Sequence, residues 1–303
     1  MRVLATLLLL LVSSCAGDHA AKPAAPALWR ARTATSTVYL FGTFHLLPRP
    51  APWFTPAVAS AFHESRELWT ETNMTSGMVA MMTFVSRAVA PAPYSLRAEL
   101  GADTWSRVQP AFAECGLPAE RAEHLYLWAA DFMLMSCTGI RAMQRPTGGA
   151  PVTIDRKPDA ALVALARKDG KALRYFETLD QSLDAFARLP PSVHLAILQK
   201  ALNPGQSNPQ AETQMDPEAM ERAWLAGDVE TLARYAQVVN RVGGSDLNRA
   251  LLTKRNVVMA DAITDMLQRP TVAFVAVGVG HFTGQDGVLA LLEARGFHVE
   301  RIE

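Results

Sequence analysis

The chain has 303 residues, of which half are hydrophobic and 19% are charged, and its 29 basic residues balance its 29 acidic residues. This composition excludes a disordered chain, a collagen and a coiled-coil rod. The zero net charge excludes a protein that captures nucleic acid by bulk electrostatic attraction.

The N-terminal residues have the pattern of a bacterial export signal. Met1-Arg2 is a short positive start, and Val3–Val12 is an apolar run broken only by Thr6. Such a run spans about 15 Å as a helix, half of a bilayer core, which favours a secretory signal over a membrane anchor. The run ends in Val12-Ser13-Ser14-Cys15, which resembles a lipobox. Residues 1–14 are therefore predicted to be a signal peptide, and Cys15 the acylated residue after cleavage.

Residues 15–27, rich in alanine and proline, are predicted to form a lipidated tether. Its acyl chains would attach the protein to a membrane, and Ala16 favours the outer membrane, facing the periplasm. An ordinary signal peptide that contains a cysteine is the alternative. Export implies an oxidising compartment, in which Cys115 and Cys137 either form a disulfide or remain buried thiols.

Predicted strands alternate with predicted helices from residue 28 to 303, which indicates one α/β domain. Its mixed central sheet is expected to come from two α/β halves, with a helical insertion at about 74–150. Strands are predicted at 37–41, 67–71, 172–176, 271–277 and 297–302. Helices are predicted at 56–66, 78–90, 103–114 (capped by Asp103), 118–141, 159–168, 181–189, 246–267 and 286–295, and from 191 and 217 onward. The methionines at 74, 78, 81 and 82, with Phe84, are expected to pack in the core, and a lid or a substrate surface is the alternative.

Two strands end in the same pattern of glycine, two residues and histidine. Val38–Phe41 leads into Gly42-Thr-Phe-His45, and Val272–Val277 leads into Gly278-Val-Gly-His281. The carboxyl ends of strands form the ligand crevice of an α/β sheet, and glycine permits a sharp turn there. If the two strands are close, two imidazoles can meet at one point, where each can bind a metal or act as a base.

Two glutamates close other apolar strands. Glu71 ends Leu-Trp-Thr-Glu, and Glu177 ends Leu-Arg-Tyr-Phe-Glu. Together with His45 and His281 they form a plausible nitrogen and oxygen site for zinc, manganese or cobalt. A spare carboxylate would take a proton from bound water. Alternatively, each glutamate caps the next helix or pairs with an arginine.

These motifs resemble the TraB/GumN family, which includes the TIKI membrane proteases, and are distantly similar to the erythromycin-esterase and ChaN-like superfamily. The resemblance covers about residues 28–302. It rests on the segments VYLFGTFH (38–45), LWTE (68–71), GKALRYFE (170–177), LTKRN (252–256) and FVAVGVGHFTGQDGVLALLEARGFHVERI (274–302).

The resemblance implies a hydrolase, plausibly a peptidase, that uses a divalent metal (manganese, cobalt or zinc) held by His45, His281, Glu177 and Glu71. Glu71 is either a ligand or the general base. The Arg-Asn pair of the family corresponds to Arg255 and Asn256, which would position the substrate or the developing oxyanion. The expected partners are the membrane and a peptide or small acyl substrate, and no nucleic acid is expected.

Two other interpretations compete with this one. Gly278, Gly280 and Gly284, with Glu300 further on, resemble a dinucleotide-binding fingerprint, but their spacing is off by one and no strands follow. The second alternative is a non-catalytic, lipid-anchored protein that binds a metal or haem in the envelope. The histidines at 63, 124, 194 and 298 are interpreted as surface or core residues.

Overall fold

The computed structural model describes residues 23–44, 47, 51–73, 77–143, 158–202 and 217–303. The predicted signal peptide, Cys15, His45 and Met74 lie outside these ranges. The described residues form an α/β fold, as predicted. None of the helices in these ranges is long and apolar enough to cross a membrane.

The sheet has six strands in the order β4-β3-β5-β2-β1-β6. The four strands β4, β3, β5 and β2 are parallel, and β1 pairs antiparallel with both β2 and β6, so the sheet is mixed. The strands are β1 (Leu28–Arg32), β2 (Ser36–Thr43), β3 (Glu67–Thr72), β4 (Ala172–Glu177), β5 (Thr271–Gly278) and β6 (Val299–Arg301).

Helices cover the sheet and extend beyond its carboxyl edge. They are α1 (Pro56–Glu64), α2 (Gly77–Ala88), α3 (Leu96–Glu114), α4 (Ala119–Ala122), α5 (Leu127–Met143), α6 (Pro158–Lys168), α7 (Leu179–Ala187), α8 (Pro191–Leu202), α9 (Pro217–Leu225), α10 (Val229–Asn248), α11 (Lys254–Leu267) and α12 (Val288–Ala294). A π-helix, Arg249–Thr253, joins α10 to α11, and a 3₁₀ turn, Val279–Phe282, follows β5.

The central strands are apolar because both faces of the sheet are covered. On β2, Phe41 packs with Phe274 and Trp224 on one face, while Val38 and Leu40 pack on the other. Strands that are buried on both faces have continuous apolar sequences without polar alternation. This explains why the apolar segments 37–41 and 271–277 are neighbours in the middle of the sheet.

A third cluster, the helical core, lies in the helices that follow β3 and β4. Its members include Phe112, Trp128 and Leu134 of α3 and α5, together with Phe186 of α7 and Leu198 of α8. Helices after β4 therefore share one core with those between 74 and 150.

Several helix predictions were wrong in detail. The segment predicted as one helix at 118–141 is two helices, α4 and α5. The helix predicted at 103–114 is the second part of α3, which begins at Leu96, where the Ser95 side chain caps it by accepting from Ala98 N. Gly101, with φ of 75°, interrupts its helical backbone.

The expected burial of Met78, Met81 and Met82 was also wrong. Met78, Met81 and Met82 are 76%, 62% and 66% exposed, while Phe84 of the same helix packs against the helical core. Both faces of α2 are apolar, so the spacing of its apolar residues does not show which face packs against the rest of the protein.

Cys115 and Cys137 form a disulfide between the end of α3 and α5, with their Cα atoms 5.9 Å apart. We expect Cys115→Ser/Cys137→Ser to lose about 3 kcal/mol of unfolding free energy, because the bond closes a loop with a sequence separation of 22 in the unfolded chain. Urea denaturation followed by circular dichroism measures the loss. Dithiothreitol should lower the stability of the wild type by the same amount and leave that of the double variant unchanged. A much smaller loss, both on double substitution and on reduction of the wild type, would contradict the expectation.

Candidate functional site

The carboxyl ends of the parallel strands bring together five of the predicted site residues. Glu71 lies at the end of β3, Glu177 ends β4, and His281 lies in the turn after β5. Arg255 and Asn256 reach this edge from the first turn of α11. His45 lies outside the described residues, but β2 ends at Thr43, which pairs with Gly278 of β5. The strands that lead into the two corners are thus neighbours.

Arg255 lies between the two glutamates. Its Nη2 is 2.9 Å from Glu71 Oε2 and 2.6 Å from Glu177 Oε1, and Glu177 also accepts a hydrogen bond from the hydroxyl of Ser182. Burial acts to lower the pKa of the guanidinium, but the charges of Glu71 and Glu177 outweigh it and raise the pKa above its ordinary value. Both glutamates therefore pair with an arginine, which is one of the alternatives that the sequence left open. Arg255 is a largely buried cation.

His281 is buried and its orientation is fixed by Asn256. Its Nδ1 lies 2.6 Å from Asn256 Oδ1, and Asn256 Nδ2 donates to the carbonyl of Asp286 at 2.7 Å. Because the amide nitrogen is committed to Asp286, the amide oxygen faces the ring and accepts from Nδ1–H. In the neutral imidazole the lone pair therefore lies on Nε2.

Glu71 connects the two halves of the cluster. Its Oε1 accepts from the backbone N–H of Gly278 at 2.6 Å and lies 3.6 Å from His281 Nε2, while Oε2 contacts Arg255. The Nε2 lone pair and a carboxylate oxygen thus face each other across a short gap. Such a pair of atoms can hold a cation between them or share a proton.

The π-helix before α11 sets the direction of the Arg-Asn pair. Within it, Lys254 N–H donates to Arg249 O, one residue further back than in an α-helix, and Arg255 Nη1 donates to Leu251 O at 3.1 Å. Single π turns inside helices are frequent at functional sites. Here the wider turn precedes the two residues that contact Glu71 and His281.

The first corner is packed tightly against the second. A Cβ atom on Gly42 would lie 3.0 Å from Val279 Cγ2 and 3.3 Å from its Cα. Trp224 Nε1 donates to Gly42 O, and Thr43 Oγ1 donates to Asp159 Oδ1 in a buried contact. A side chain at position 42 would therefore require Val279 to shift by a few tenths of an ångström.

The donor atoms fit a metal in part. Nitrogen and oxygen donors suit zinc, manganese and cobalt, and a metal-binding histidine commonly donates its other N–H to a carbonyl oxygen, as His281 does to Asn256. Within the described ranges, however, no group of three or more His, Cys, Asp or Glu side chains is arranged to hold a metal. Glu177 is already bound to Arg255 and Ser182.

Two contacts of the site were not predicted from the sequence. One is the hydrogen bond from Ser182 to Glu177, five residues earlier. The capping box of Thr178 and Gln181 indicates where α7 starts, and this start places Ser182 close to Glu177. The other is the contact of Asp159, in the first turn of α6, with Thr43, for which the sequence has no such signal.

Glu300 of the dinucleotide-like pattern forms an ion pair with Arg30 across β1 and β6.

The comparisons with known proteins agree with the motifs at this edge of the sheet. No curated protein and no solved structure matches the chain. The model of the TraB/PrgY/gumN family matches residues 27–301, which include both glycine-histidine corners, both glutamates and the Arg-Asn pair. The chain therefore belongs to the TraB/PrgY/gumN family.

Proposed function

We propose that the chain is a metal-dependent hydrolase of the bacterial cell envelope, and more narrowly a peptidase. The observation that carries the proposal is the contact between His281 and Glu71. Asn256 fixes the imidazole so that Nε2 lies 3.6 Å from Glu71 Oε1, at the edge where both corner strands end.

The residues that would hold the metal are His281, Glu71 and His45 of the neighbouring corner. Both glutamates pair with Arg255, but Glu71 Oε1 also lies 3.6 Å from His281 Nε2, so the contacts favour Glu71 as the ligand. Manganese, cobalt or zinc bound there would supply an activated water for attack on an acyl centre.

The other polar side chains would orient these groups and stabilise charge. Asn256 keeps Nε2 of His281 directed at Glu71. Arg255 Nε has no hydrogen-bond partner among the described residues, which leaves one N–H of a buried cation for an anionic group of the substrate or the oxyanion. The carboxylate that does not bind metal would take the proton, with Glu177 held ready by Ser182 and Arg255.

Two features support the envelope as the location. The Val12–Cys15 sequence resembles a lipobox, which would anchor the protein by lipid in the outer membrane. The disulfide between Cys115 and Cys137 suits an oxidising compartment such as the periplasm.

The proposal is tested on the full chain purified in detergent, by elemental analysis and by turnover of a peptide library with each metal added. We expect His45→Ala and His281→Ala each to lose both the bound metal and the turnover. His63→Ala is the matched control, because His63 is exposed on α1 and lies outside the cluster, and it should retain both.

Retention of metal and turnover by His281→Ala would contradict the proposal. Metal or haem binding without turnover of any peptide or ester would instead support a non-catalytic, lipid-anchored binding protein.

A further inference from the structure

A cavity of about 560 Å³ opens beside the candidate site. Its inner wall is formed by Glu177 and Arg255, and apolar side chains such as Phe176, Leu189 and Val258 line much of the rest. The volume is typical of pockets for small ligands, about 300–1,000 Å³. Val258 is 52% exposed although it lies in a concave surface, so the cavity offers uncovered apolar area to a ligand.

The charges along the cavity are not all paired. Glu177 shares the charge of Arg255 with Glu71, and Asp184 forms ion pairs with Arg87 and Arg188. Three other charged residues that line the cavity have no ion pair with any described side chain: Arg249, Lys254 and Asp246. The unpaired charges are thus two positive and one negative, so the cavity favours an anionic group.

The two unpaired cations, Arg249 and Lys254, lie at different distances from Arg255 of the candidate site. Arg249 precedes Arg255 by six residues of continuous helix, which is about 9 Å along the axis. An extended peptide covers about 3.3–3.6 Å per residue, so two or three residues span this distance. A ligand with one end at Arg255 can therefore place a charged end beside Arg249, and Lys254, one π turn after Arg249, adds a second positive charge between Arg249 and Arg255.

We infer that this cavity binds a ligand that joins an apolar group to a carboxylate, and specifically the free C-terminal end of a peptide. Val258 and Phe176 contact the apolar side chain, and Arg249 and Lys254 pair with the carboxylate. The naming of a peptide rests on the proposed function, whereas the preference for a carboxylate rests on the cavity alone.

The test compares two probes that differ only in charge, N-acetyl-leucyl-phenylalanine and its carboxamide. Their binding to the full chain, in detergent with EDTA, is measured by isothermal titration calorimetry. We expect the free acid to bind about ten-fold more tightly than the amide, because a charge-assisted pair replaces a neutral contact. In Arg249→Gln/Lys254→Gln this ratio should fall to about two or less, with the affinity for the amide unchanged.

Arg66→Gln/Arg97→Gln is the matched control. It removes the same charge from two exposed arginines that do not line the cavity, and it should keep the wild-type ratio. Equal affinity of the wild type for the two probes, or an unchanged ratio in Arg249→Gln/Lys254→Gln with a native circular dichroism spectrum, would overturn the inference. Peptide hydrolysis without a preference for the free acid refutes this inference alone, and the preference without hydrolysis refutes the proposed function alone.

Discussion

Replacement of Arg255 by methionine is expected to lower the unfolding free energy by about 3–5 kcal/mol, because removing one partner leaves the other charges of a buried cluster uncompensated. The side chains of Arg255, Glu71 and Glu177 are 17%, 16% and 14% exposed, so water screens the two remaining carboxylates poorly. Urea denaturation at neutral pH measures the change.

Two further variants separate this mechanism from a loss of packing. The triple variant Arg255→Met/Glu71→Gln/Glu177→Gln should regain most of the lost stability, since neutral amides remove the repulsion. Arg295→Met, which breaks the more exposed ion pair with Asp261, should cost less than about 1 kcal/mol. If the triple variant is as unstable as Arg255→Met, the charges are not the cause.

His194→Leu is expected to cost about 3–5 kcal/mol as well at a pH where Asp131 is ionised, by leaving this carboxylate without its partner in the helical core. The two residues connect α5 to α8, with His194 Nδ1 2.7 Å from Asp131 Oδ2, and both are almost fully buried. Neither Asp131 Oδ1 nor His194 Nε2 has another partner among the described residues. Asp131→Ala/His194→Phe, of similar combined volume, should recover much of the stability because it buries no charge.

The loss in His194→Leu should depend on pH with a definite sign. Burial raises the pKa of Asp131 to about 6, against the opposing influence of His194, so removal of His194 raises it further. A carboxyl whose pKa is raised by folding destabilises the fold at pH above the folded value, and the cost disappears as pH falls toward the unfolded value of 3.8. The deficit relative to the wild type should therefore be full at pH 8 and smaller at pH 4. A deficit independent of pH would indicate lost packing.

Strand predictions from the sequence were most accurate where an apolar segment leads into a glycine. The segments 37–41 and 271–277 were predicted as strands because they are apolar, and they are apolar because helices cover both faces of β2 and β5. Strand β1 was not predicted, because its arginines interrupt the apolar pattern and Glu300, which pairs with Arg30 from β6, lies 270 residues away. Helix α10 was missed as well.

The candidate site was predictable in its members and not in its contacts. Strand ends identified Glu71, Glu177 and His281, because parallel strands deliver their last residues to one edge. The sequence could not indicate that one guanidinium binds both carboxylates, or that Asn256 holds His281, since those contacts depend on the rotation of α11. The family match spans these residues without assigning a role to any of them, and His45 stays a prediction.

The π-helix at Arg249–Thr253 has a consequence for the continuous helical segment from 229 to 267. Upstream, Leu247 packs in the helical core, and downstream Met259 and Ile263 pack against the sheet. One extra residue in the turn shifts the phase of the two halves by about 100°. Each half can thus take the orientation that its own hydrophobic neighbours require. Substitutions that repack the helical core around Leu247 therefore need not rotate Arg255 and Asn256 away from the edge of the sheet.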